Sequence, residues 1–192
     1  MYTPKQVYKF AKIGKVYNLR CALDYGNNSI IWHRNDNGRT AIHRSSRRGH
    51  TDRIGILLDR GADIECKTNQ GLTSLHEAAL KGHTTCIGVL LDRGANIESQ
   101  TNRGNTALHL AAQEGHIVCV RELTNRGADI EISNNEGITA LLLATHQGHI
   151  ECTRLLLDRQ AIIDEDQIDD IEHPDCKQMI LDEILHLSLI HI

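Results

Sequence analysis

The sequence predicts an all-α repeat protein, a solenoid of stacked helix pairs, from three punctuation series that share one period. Gly-X-Thr-X-Leu-His or a close variant opens at Gly38, Gly71, Gly104 and Gly137. Gly-His pairs follow at Gly49, Gly82, Gly115 and Gly148, and Gly-Ala-Asp or Gly-Ala-Asn at Gly61, Gly94 and Gly127. All three run at 33 residues without drift, the signature of supersecondary units that bury their apolar faces only against their neighbours.

At the N-terminus, Thr3-Pro4-Lys5-Gln6 has the form of a capping box with proline at the first helical position, and Gly14 and Gly26 bound a second helix. Residues 1–34 are therefore expected to form a degenerate capping repeat. The full repeats span 35–67, 68–100, 101–133 and 134–166. In the second, Thr73 is the N-cap of a short helix that stops at Gly82. Ile87, Leu90 and Leu91 stand at helical spacing in a second helix that ends at Gly94. Ala78 and Ala79 let first helices approach closely while the leucine pairs fill the space between layers.

The pattern Gly-X-Thr-Ala-Leu-His-X-Ala-Ala-X-X-Gly-His, with a later Leu-Leu-X-X-Gly-Ala-Asp, resembles the ankyrin repeat, and it covers residues 35–166 closely. The resemblance implies an ankyrin-type solenoid of helix pairs joined by short outward β-hairpin loops, and a role in binding other proteins. It also implies that His43, His76 and His109 each bond the threonine hydroxyl three residues before.

At the C-terminal end, residues 173–182 echo 149–158 only 24 residues on, so nine residues are missing. A truncated cap helix and tail are expected over 167–192, with the acidic stretch 164–172 in place of a hairpin and first helix. Other departures are Arg44, Ser45, Ser46 and Arg53 in repeat one, Thr124 in repeat three, and Leu142 and Gln160 in repeat four. A left-handed Gln160 would cost about 1 kcal/mol or more, unless the backbone differs there.

The longest uncharged apolar stretches fall far short of the roughly 18 residues a membrane span needs, and no secretory or lipidation signal is visible. A soluble, intracellular protein, cytoplasmic or nuclear, is expected, and nothing in the pattern demands oligomers. Cys86, Cys119 and Cys152 share one slot. Helix neighbours sit roughly 8–10 Å apart, beyond the ~7 Å Cα limit of a disulfide, so free packed thiols are expected. His-X-X-Cys recurs at His83, His116, His149 and His173, but zinc needs four converging ligands and these pairs sit one layer apart. No metal and no cofactor is expected. Nor does any nucleophile, base and orienting group stand outside the repeating slots, so no catalysis is expected.

Contacts are expected where residues vary while the frame repeats. These are Asp36, Asn37, Arg39, Arg47 and Arg48; Asn69, Gln70, Leu72, Leu80 and Lys81; Asn102, Arg103, Asn105, Gln113 and Glu114; and Asn135, Glu136, Ile138, His146 and Gln147. Residues 1–60 carry twelve Lys or Arg against four acids, and residues 61–192 nine against twenty-one. The resulting gradient points to a protein partner with an acidic segment docking on Arg39, Arg47 and Arg48, with its remainder running toward Leu72, Leu80 and Ile138. Against that stands the solvated surface that a charge run ordinarily is. Two alternatives are a host-directed effector with a second docking element in the tail, 185–192, and nucleic-acid binding through the basic end. The second is disfavoured, because all six aromatics fall within residues 2–32 and none lies in the repeat body to stack on bases.

Overall fold

The computed structural model describes residues 31–163, 165–169 and 171–190. The expected N-terminal helix pair lies outside the described residues. Short and longer helices alternate: α1 (Ala41–Arg47), α2 (Thr51–Asp59), α3 (Ser74–Leu80), α4 (Thr84–Asp92), α5 (Ala107–Gln113), α6 (Ile117–Asn125), α7 (Ala140–His146) and α8 (Ile150–Asp158). Then come α9 (Glu165–Ile168) and α10 (Pro174–Ile190). The short helices pack in the series α1, α3, α5, α7, and the longer ones in the series α2, α4, α6, α8, α10.

Two turns of helix are too short to persist alone in water, so burial must hold them. Leu75, Ala78, Ala79, Ile87 and Leu90 are buried together with their equivalents in the neighbouring repeats, forming one continuous core. The connections between repeats are narrow loops. In repeat two the Thr68 N–H donates to Leu72 O and Gly71 N–H to Thr68 O, both at 2.9 Å. No strand occurs among the described residues, because each loop closes within these few bonds.

Polar contacts lock the layers at a fixed offset. Thr73 caps α3, and His76 Nδ1 lies 2.8 Å from its hydroxyl. His76 Nε2 reaches Asn105 O of the next repeat at 3.0 Å. A carbonyl only accepts, so Nε2 carries the proton and Nδ1 accepts from threonine. His43 bridges to Leu72 O and His109 to Ile138 O in the same way, each at 3.0 Å. Burial holds all three imidazoles below their ordinary pKa, His76 at about 4.

The second histidine series reaches the other way, His83 Nε2 to Arg47 O at 3.2 Å and His149 Nε2 to Gln113 O at 3.0 Å. Further bridges join Arg93 to Asp59 (2.8 Å), Arg126 to Asp92 (2.6 Å) and Arg159 to Asn125 (2.7 Å). Layers this close leave no room for a side chain at the opening glycines of repeats one to three. Gly71 has φ +77°, and a Cβ there would sit 2.4 Å from Asn102 Oδ1.

Between repeats one and two the lock is ionic. Glu77 of α3 is fully buried and receives Arg39 Nε at 2.5 Å and Arg47 Nη1 at 3.0 Å. Other features of repeat one bear on packing too. Ser45 and Ser46 are buried, and the Ser45 hydroxyl donates to Ala41 O, but Ser46 Oγ has no partner among the described residues. Arg53, in the slot of Cys86, Cys119 and Cys152, is 2% exposed.

The pattern changes at the C-terminal end. Leu142, 4% exposed, takes the histidine slot. The acidic stretch contains the short helix α9 and is pinned by Ile168 and Ile171, buried with Cys176 and Ile180 of α10. Residues 185–190 of the tail continue α10. Gln160 does adopt the left-handed conformation, φ 65°.

A Cβ at Gly61, Gly94 or Gly127 would meet nothing within 4 Å, so conformation alone sets the cost at the shared slot. Gln160→Gly should raise unfolding free energy by about 1 kcal/mol, read from urea midpoints. Glu77→Gln should cost about 2 kcal/mol, less than a wholly buried pair because Arg47 reaches solvent. A cost near zero would deny the ionic lock. For His76 the folded pKa is depressed, so the unfolded chain binds more protons there between about pH 6.5 and about 4. The associated stability is complete above pH 6.5 and lost as pH falls toward 4, on the order of 3 kcal/mol from His76. His76→Leu, the residue repeat four uses, should give a shallower fall over that window in paired denaturation series.

Candidate functional site

The loop tips and the C-terminal ends of the short helices line one side of the stack. At the tips Asp36, Asn37, Asn69, Gln70, Asn102, Arg103, Asn135 and Glu136 are exposed. At the helix ends Arg48, Lys81, Glu114 and Gln147 are exposed in one slot, and Arg47, Leu80, Gln113 and His146 occupy the preceding one. Of that second set only His146 is fully exposed. The slot after each opening glycine lies deeper, with Leu72 7% exposed and Arg39, Asn105 and Ile138 half-buried.

Several of these side chains are already engaged within the chain. Asn69 Nδ2 donates to Asp36 O at 2.9 Å, Asn102 Nδ2 to Asn69 O and Asn135 Nδ2 to Asn102 O, both at 3.0 Å. This amide ladder braces the tips. The recurrence of asparagine at 33-residue spacing is the sequence signal that marks it as frame. Arg39 and Arg47 are held by Glu77, which the sequence reading passed over. Its signal was an acid in the slot that Leu110 and Leu143 fill in repeats three and four. Of the three candidate docking arginines, Arg39, Arg47 and Arg48, Arg48 is the one that stands exposed.

The structure gathers many of the remaining candidates into one groove of ≈490 Å³ between repeats two and three. Leu72, Leu80 and Leu110 give it apolar surface, and Asn69, Gln70, Asn102, Arg103, Asn105 and Gln113 surround them. Leu110 and Thr101 were not foreseen. Leu110 shares its slot with Arg44, Glu77 and Leu143, so variation there was legible. Asp36, Asn37, Glu136, Ile138, His146 and Gln147 do not line this groove.

The thiols and imidazoles of the His-X-X-Cys pairs face different tasks. Burial pushes the Cys86 and Cys152 thiols up to about 11, which keeps them protonated at neutral pH, and Cys66, Cys86, Cys119, Cys152 and Cys176 are unbridged. No cluster of three or more metal-ligating side chains occurs among the described residues. No helix among them is long and apolar enough to cross a membrane.

The family model for ankyrin repeats matches in three copies, over residues 11–101 and 93–169. No curated protein matches the chain. Ankyrin repeats are in general protein–protein interaction modules. The match covers most of the length, the stacked helix pairs agree with it, and the chain belongs to the ankyrin-repeat family.

Proposed function

We propose that this protein acts by occupancy, binding a protein partner along the loop tips and short-helix ends and thereby serving as an adaptor, tether or inhibitor without catalysis. The groove between repeats two and three carries this reading. It combines apolar surface from Leu80 and Leu110 with amide groups and Arg103, a mixture suited to a peptide segment with both apolar and polar side chains. Arg48 adds an exposed cation on the neighbouring repeat. An acidic stretch of the partner meets Arg48 while its apolar part enters the groove. Arg39 and Arg47 act through their hold on Glu77, since their charge is partly neutralised inside the stack. The reading places the protein as a monomer in the cytoplasm or nucleus.

The repeat frame supplies substitutions that should spare the fold. Glu114 fills the Arg48 slot in repeat three, and Gln113 fills the Leu80 slot. Affinity capture from a lysate with the Arg48→Glu/Leu80→Gln variant should therefore lose the partner, at least about tenfold in yield. The residual interaction should be less sensitive to salt. Full recovery of the same proteins by a variant of unchanged Tm would place binding elsewhere.

A further inference from the structure

At the C-terminal end a second groove, ≈780 Å³, runs between the loop after α8 and α10. Leu157, Ala161, Ile162, Ile163, Ile180 and Ile184 give it apolar walls, and Asp158 stands at its rim. The loop breaks the repeat frame twice. Gln160 holds a glycine conformation, and Ile162 takes the slot of Asp63, Asn96 and Asp129. Those three side chains accept the backbone N–H two residues on, at 2.9, 3.0 and 2.9 Å, and so stabilise the turn. Isoleucine makes no such bond and is 65% exposed. Leu181 and Leu185, one helical turn apart on α10, are 37% and 59% exposed. Frame violations that gain nothing for the fold concentrate where a surface is used.

Charge identifies the occupant. Asp92 and Asp59, two and three layers up in the same slot, each receive an arginine from the following repeat, Arg126 and Arg93. Asp158 holds the same slot with no following arginine, and no cation meets it among the described residues. Exposed Glu172, Asp175 and Asp182 add to the negative field of this end, while Asp169 pairs with Lys177 at 3.4 Å. An anionic membrane surface is repelled by such a field, whereas a basic partner is drawn to it.

We infer that this end is a second docking site, which binds an amphipathic, arginine-bearing segment of a partner protein, its arginine taking the vacant ladder position at Asp158 and its apolar side chains covering Ile162 and the groove. The site is separate from the groove of repeats two and three and does not depend on the function proposed for that face.

The test uses the full chain and a fluorescent 18-residue helical probe with leucine on one face and arginine on the other. A counterpart carrying glutamate for arginine and a scrambled peptide serve as controls, and binding is read by anisotropy. The arginine probe should bind and the glutamate probe should not. Ile162→Asn, which installs the side chain repeat two uses, should weaken binding about tenfold or more while Tm holds or rises. Asp158→Asn should weaken it about threefold and flatten its salt dependence. Arg48→Glu/Leu80→Gln should leave it unchanged, separating this site from the other. Equal binding of the glutamate probe, or parental affinity in both C-terminal variants, overturns the inference. So does self-association of the unliganded chain that Ile162→Asn abolishes, because a second copy would then be the occupant.

Discussion

A neutral imidazole that accepts at one nitrogen and donates at the other sets the spacing of the stack. His43, His76 and His109 each close the start of their own helix through Nδ1 and reach the next repeat's loop through Nε2. That arrangement works only for the uncharged ring, because a protonated Nδ1 can no longer accept. It also demands that the next loop present a carbonyl at one fixed height. The glycine turns, the asparagine ladder at the tips and the arginine pairs along the second helices all repeat at that height. Removing one lock leaves the others in place, which suits a fold whose stability is summed over neighbouring layers.

The contact between repeats one and two also draws on the charge of the basic end. The basic first sixty residues look in sequence like an open anion-binding end. In three dimensions α3 inserts Glu77 between Arg39 and Arg47, so two of the cations serve the contact between repeats one and two. Arg48, beside them, stands exposed. A sequence count sums charges but does not show which of them are spent internally.

Beyond repeat four the period breaks. Leu142 takes the histidine slot, and Ile168 and Ile171 pack with Cys176 and Ile180 of α10. Gln160 and Ile162 depart from residues that the same slots hold three times over, and both line the groove beside α10.

The sequence by itself determined the architecture: the period, the helix starts at Thr40, Thr73, Thr106 and Thr139, the glycine stops and the buried cysteine row. Those features are local or strictly periodic, so spacing and residue type suffice to read them. At Gln160 the sequence left two outcomes open, a strained left-handed residue or a different backbone, and the structure has the first, φ 65°. Only the tertiary structure decided which surface residues are available. Asn69, Asn102 and Asn135 brace one another, Glu77 claims two arginines, and Leu80 and Leu110 meet in one groove. Each of these outcomes depends on a side chain some thirty residues away in the chain, one layer away in space, and on which of several polar groups reaches it first. Periodicity brings the layers together, and the packed geometry of each interface selects the contacts.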